Sequence, residues 1–117
     1  MIKLFTHTDL DGVGCAILAY LAFGKDNVDV EFCNYDDIEA KVMAFCSSKY
    51  VSEITKDYDM IYITDISVKK ETATYISNKF TLPEGINWKL LDHHATAMYL
   101  NDFEWCIVEP TDMLDIE

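Results

Sequence analysis

Ile2-Lys3-Leu4-Phe5-Thr6-His7-Thr8-Asp9-Leu10-Asp11-Gly12-Val13-Gly14-Cys15-Ala16-Ile17-Leu18-Ala19-Tyr20-Leu21 changes its period halfway along. Residues 2 to 6 form a short β-type run that stops at polar His7, Thr8 and Asp9. From Gly12 to Leu21 the apolar residues fall at 13, 16, 17, 20 and 21, a helical spacing, with Gly24 placed to cap the C-terminus. A strand that turns into a helix through a polar bend is the first half of a β-α-β unit.

The same alternation continues downstream. Val28 to Cys33 reads as a strand ending at Asn34, and Asp36 or Asp37 is placed to cap a helix over 38 to 47 with Ile38, Val42 and Phe45 inward. Met60 to Thr64 is a β-branched and aromatic run stopped by Asp65. Ser67 is expected to cap a helix over 68 to 79, with Glu71 near the capping-box position. Pro83, Glu84 and Gly85 make a turn, Ile86 to Leu91 a strand, 95 to 100 a helical segment and Trp105 to Val108 a last short strand. The order predicts an α/β fold: a Rossmann-like, doubly wound parallel sheet with helices on both faces.

Composition sets the bounds. The chain has 117 residues, enough for one domain. Two Trp, seven Tyr and six Phe against four Gly and two Pro favour a packed globule over a disordered or fibrous chain. The longest apolar stretch, Val13 to Phe23, is 11 residues, short of the roughly 20 needed to span a membrane, so no membrane partner is expected. The N-terminus does not read as a signal peptide, and no two of Cys15, Cys33, Cys46 and Cys106 have a Cys-x-x-Cys spacing. These features point to buried thiols in a reducing cytoplasm. Nine Lys, no Arg and a net charge of −12 argue against a long nucleic-acid duplex as partner. A short phosphate-containing ligand remains open if bound cations reverse the local sign.

Three strands end in polar clusters: His7, Asp9 and Asp11; Asp65; and Asp92, His93 and His94. Ligands of open parallel sheets bind at the carboxyl ends of the strands, so three distant segments are expected to meet there. Any one cluster alone reads as readily as a turn or a helix cap. Their recurrence at three strand ends favours a metal site, because several carboxylates in a small volume cannot all stay ionised without cations. Asp and His ligands without thiolate fit Mn²⁺, Co²⁺, Fe²⁺ or Mg²⁺ better than structural zinc. Two such ions, about 3.5–4 Å apart, promote in-line attack on phosphorus. By contrast, Val13, Ala16, Ile17 and Tyr20 read as a core stripe, Trp88 and Trp105 as core aromatics, and Lys69-Lys70 as a solvated helix start. Tyr99 stays open between core and ligand contact.

His7-Thr8-Asp9-Leu10-Asp11-Gly12, Asp65 within Ile-Thr-Asp-Ile, and Asp92-His93-His94 resemble the first three motifs of the DHH phosphoesterase superfamily. Thr-His-Thr-Asp-Leu-Asp-Gly-Val-Gly-Cys, Leu-Ala-Phe-Gly-Lys-Asp and Leu-Asp-His-His-Ala-Thr-Ala most resemble its nano-RNase B group. The resemblance spans residues 2 to 108 and implies a Mn²⁺-dependent 3′-to-5′ enzyme, with Mg²⁺ or Co²⁺ as alternatives, acting on short oligoribonucleotides or small nucleotides. It implies that Asp9 ligates a first ion with His7 beside it, that Asp11 and His93 ligate a second, and that Asp65 bridges the two. His94 would face the substrate phosphate while Asp92 orients its neighbours.

One departure qualifies the resemblance. The family's fourth-motif Asp and its second, substrate-gripping lobe (DHHA1) find no counterpart; Asp112 and Asp115 stand too soon after the third motif, in an acidic stretch from Asp102 to Glu117. Residues 1–117 are therefore expected to be the N-terminal part of a DHH domain, with turnover in isolation left open. Its bare apolar faces would favour a homo-oligomer. Two alternatives accompany the phosphoesterase reading: a silent metal- or nucleotide-binding module, and a relative of the RecJ-type single-strand exonucleases. A family II pyrophosphatase would need a His where Phe5 stands.

Overall fold

The computed structural model describes residues 1–48, 51–80 and 86–110, without the side chains of Ser48 and Val51. Five strands, β1 (Ile2–His7), β2 (Val28–Cys33), β3 (Met60–Thr64), β4 (Trp88–Asp92) and β5 (Cys106–Val108), form one sheet. Every pairing is parallel and the order is β2-β1-β3-β4-β5. Helix α1 (Leu10–Phe23) joins β1 to β2; α2 (Ile38–Ser48) and α3 (Val51–Asp57) precede β3; α4 (Lys70–Lys79) leads to β4; and a 3₁₀ helix (Ala95–Asp102) leads to β5. The expected doubly wound α/β architecture is present.

Alternation along the strands gives each face its own core. Ile2, Leu4 and Val28 pack with Ala16 of α1 on one side. Phe5, Ile61, Ile63, Trp88 and Leu90 pack on the other with Ile38, Val42, Ile54, Ala73 and Ile76 from α2, α3 and α4. Trp88 and Trp105 belong to this second core, as expected. The α1 stripe is narrower than its spacing suggested. Gly12 and Ala16 are its buried residues, whereas Ile17, Leu18 and Leu21 are exposed. Leu91 of β4 and Ile107 of β5 are also exposed on the α1 side of the sheet, beyond the helix's reach. That open apolar face is the surface on which the expectation of self-association rests.

Boundaries shift where side chains find partners far along the chain. Ser67 does not cap α4; its hydroxyl donates to Asp92 Oδ2 at 2.6 Å. The helix begins at Lys70 with no side-chain cap from its own segment. Glu39 of α2 does that work instead, accepting from the Lys69 N–H at 2.8 Å and the Thr72 hydroxyl at 2.5 Å. Gly24 does cap α1, at φ +89° with its N–H on the Tyr20 carbonyl. Helix α3 has no counterpart in the reading from sequence. The expected turn at Pro83, Glu84 and Gly85 lies outside the described residues.

Candidate metal centre

Register brings the three polar clusters together. Thr6 pairs with Thr64, and Thr64 with Leu91, so the next residue on each strand, His7, Asp65 and Asp92, stands at one level across the middle of the sheet. The level is locked by Thr6 Oγ1, which lies 3.1 Å from both the Gly12 and Thr64 carbonyls. Helix α1 starts against this row. A Cβ on Gly12 would stand 1.9 Å from the His7 carbonyl oxygen, so only glycine lets the helix approach. The strand order reverses direction between β1 and β3, and crevices open at such a switch point.

Asp65 is at the centre. It is buried, at 3 % exposure, and has a left-handed backbone at φ +62°, alone among the described non-glycine residues. Strain of this kind persists where surrounding structure over-determines it, commonly at functional sites. Its Oδ1 lies 2.5 Å from His93 Nε2, and its Oδ2 lies 3.8 Å from His7 Nδ1. Two sets of donors meet here, each with ligand atoms within 4.8 Å of one another: His7, Asp9 and Asp65, and Asp65, Asp92, His93 and His94. Asp65 belongs to both.

Asp9 is at once a cap and a candidate ligand. Its Oδ1 accepts the Gly12 N–H at 2.9 Å, capping α1, while its Oδ2 faces His7 Nδ1 at 3.0 Å. Asp11, in the first turn of α1, is more peripheral; its Oδ2 reaches His93 Nε2 at 3.7 Å and it belongs to neither set. Asp92 differs from the other carboxylates in being surrounded by donors. Its Oδ1 accepts from the His93 N–H at 2.8 Å and pairs with His94 Nδ1 at 2.6 Å, and its Oδ2 takes the Ser67 hydroxyl. The sequence reading missed Ser67 as a site residue; a hydroxyl two residues after a strand-end Asp was its only signal. Asp112 and Asp115 lie outside the described residues.

The electrostatics favour a cation. His7 Nδ1 and Asp65 Oδ2 are buried and lack a well-directed hydrogen bond, although His7 Nδ1 faces Asp9 Oδ2 at 3.0 Å. Burial and the neighbouring Asp9 push the Asp65 carboxyl well above the usual carboxylate range, while the hydrogen bond from Asp65 holds Asp9 below it. Two carboxylates so placed must share a proton or a positive ion. Burial by itself would lower the His93 imidazolium, but the Asp65 hydrogen bond and the charges of Asp65, Asp92 and Asp11 outweigh it and raise it. A buried imidazole nitrogen and a buried carboxylate oxygen, each short of a well-directed hydrogen bond, within a donor set of oxygen and nitrogen fit one or two divalent cations.

Two clefts flank the centre. The larger, of about 580 Å³, runs past Asp11, Asp65 and His93 over Cys15, Leu91 and Ile107. The smaller, of about 220 Å³, lies between Tyr35, Tyr99 and His94, with Asp92 and Ser67 at its edge. Among the described residues, neither is lined by a lysine.

Comparison with known proteins agrees with the motifs. The chain is 38% identical over 109 residues to oligoribonuclease NrnB of Bacillus subtilis (strain 168), a match covering 93% of this chain and 26% of that protein. The resemblance to the nano-RNase B group is thereby borne out, with the chain spanning about a quarter of the relative's length. Among solved structures, an uncharacterized protein from Helicobacter pylori G27 shares the fold at a TM-score of 0.68 and 23% identity, over 93% of this chain and 31% of the other. No family model matches the chain.

Proposed function

We propose that this chain is the metal-binding part of a DHH-type phosphoesterase that hydrolyses short oligoribonucleotides to mononucleotides from the 3′ end. The observation that carries the reading is Asp65, buried and common to two sets of candidate ligands. In this reading His7 and Asp9 would hold one Mn²⁺, His93 and Asp11 would hold a second, and Asp65 would serve both. Bound there, divalent cations would supply an activated water and positive charge for the phosphoryl oxygens.

The remaining steps fall to the protein. Asp92 spends both oxygens on Ser67, the His93 N–H and the His94 ring, so it orients rather than ligates. Held through Nδ1, His94 keeps Nε2 for a phosphoryl oxygen, where a donated proton would stabilise developing charge. The absence of arginine and the net charge of −12 in this chain favour a substrate with few phosphates and argue against long single strands of the RecJ type.

A silent module that binds metal and nucleotide without turnover is the second reading. It is favoured by the lack of lysine among the described residues that line either cleft, which leaves bound cations to attract phosphate. Incubating the chain with Mn²⁺ and a diribonucleotide separates the two. Mononucleotide products establish the hydrolase; binding without product selects the module; neither binding nor product rejects both.

A further inference from the structure

From the aromatic walls of the smaller cleft we infer that it is a nucleobase pocket, in which Tyr35 and Tyr99 hold the base of the nucleotide whose phosphate lies at the metal centre. The inference rests on the reading of the centre as a nucleotide phosphoesterase and adds where the base goes. Tyr35 follows β2 and is 65% exposed, a large ring left in water at the carboxyl edge of the sheet. Its ring lies 4.7 Å from that of His7, centroid to centroid, so it leans on the candidate ligand set from outside. Tyr99, in the 3₁₀ helix, is 44% exposed. Its hydroxyl donates to the Val68 carbonyl at 2.8 Å, which fixes the ring and leaves its apolar surface to the cleft.

Chemistry selects the occupant. Among the described residues the cleft is lined by no lysine, so apart from His94 nothing in it attracts a phosphate. Two aromatic side chains suit a flat, uncharged ring, and its volume of about 220 Å³ is on the scale of one such group. Asp92 lines both clefts and His94 joins the smaller cleft to the candidate ligand set, so a base in the pocket is connected through its sugar to a phosphate at the centre. Among the described residues, the larger cleft offers Cys15, Leu91 and Ile107 as apolar lining and no aromatic ring for stacking. Stacking accepts any base, because each has a π-face. The pocket therefore strengthens binding without reading sequence.

Titration calorimetry in Mg²⁺ tests this with a nucleoside monophosphate and ribose 5-phosphate as paired probes. Wild-type protein is expected to bind the nucleotide about tenfold more tightly than the sugar phosphate, the scale of one stacked base. Tyr35→Leu should remove most of that difference by weakening the nucleotide alone, and Tyr35→Phe should keep it. Equal wild-type affinity for both probes overturns the pocket and leaves the phosphoesterase reading intact. A Tyr35→Leu protein that retains the full preference also overturns it. Failure of the wild-type chain to bind either probe rejects the phosphoesterase reading and the pocket with it.

Discussion

Two residues at the centre hold conformations that their neighbours dictate, and each gives a measurable consequence. Gly12 sits mid-turn in α1, where exchange for alanine would ordinarily gain about 1 kcal/mol of helix propensity. Here the added methyl would meet the His7 carbonyl at 1.9 Å. Overpacking of that severity costs about 3 kcal/mol, so the clash wins. Gly12→Ala is expected to lower the urea midpoint substantially and, by displacing α1, to weaken metal binding. At Asp65 the left-handed backbone is tolerated by Asn as well as Asp. Asp65→Asn should thus leave the metal-free Tm unchanged or higher, since it relieves a buried carboxylate facing Asp9, while abolishing the rise in Tm on adding Mn²⁺. A retained metal response would show that Asp65 is not the shared ligand.

At the level of elements, α4 is held by a residue that local sequence does not reveal. Glu39 takes the capping role that Ser67 was expected to fill, and Ser67 serves Asp92 instead. Glu39→Ala should therefore cost about 1 kcal/mol in denaturant unfolding and leave the metal response intact. Ser67→Ala should also cost stability, because it strips buried Asp92 Oδ2 of its hydroxyl donor. Unlike Glu39→Ala, it should weaken the rise in Tm on adding Mn²⁺. This exchange of roles shows what sequence could reveal. Strands with strong β-branched runs were legible to the residue: Val28–Cys33 and Met60–Thr64 form as read. Local pattern could not disclose which of two nearby polar groups would satisfy a helix end, because the choice depends on α2 packing beside α4. Nor could it disclose the bare side of α1, whose residues are apolar nearly all round, so that the stripe at 13, 16, 17 and 20 overstated the buried face. The ligand candidates were legible because strand ends in a parallel sheet share one edge. Ser67 and Tyr35 were not, since a lone hydroxyl or ring carries no spacing signal.

Across the whole molecule, the core sets which thiols can react. Burial pushes Cys33 and Cys46 up to about 11 and Cys106 up to about 12. Cys15 is partly accessible and borders the larger cleft. Thiolate is the reactive form, so Ellman's reagent at pH 8 should titrate Cys15 promptly and the other three only on unfolding. Rapid reaction of all four would mean that the second core is loosely packed.

The charge of the whole chain makes cation binding and stability inseparable. With a net charge of −12, the folded state gathers carboxylates that the unfolded chain disperses. Asp65, raised by burial and Asp9 above its ordinary value, holds its proton more tightly when folded, so its contribution is lost as pH rises through its folded pKa. His93, also raised, contributes below its unfolded value and loses that contribution in the same direction. Asp9, lowered, already contributes fully above its unfolded value and adds no slope at neutral pH. The metal-free Tm should accordingly fall between pH 5 and pH 8. A divalent cation competes with those same protons, so its affinity rises over that range. At a hundredfold excess over Kd it adds about 2.7 kcal/mol, on the order of 10 °C for a domain of this size. Thermal scans with and without Mn²⁺ should show two curves that nearly coincide at pH 5 and separate steadily toward pH 8. Parallel curves across that range would mean that the added ion binds away from Asp65 and His93, and the shared-ligand geometry would have to be abandoned.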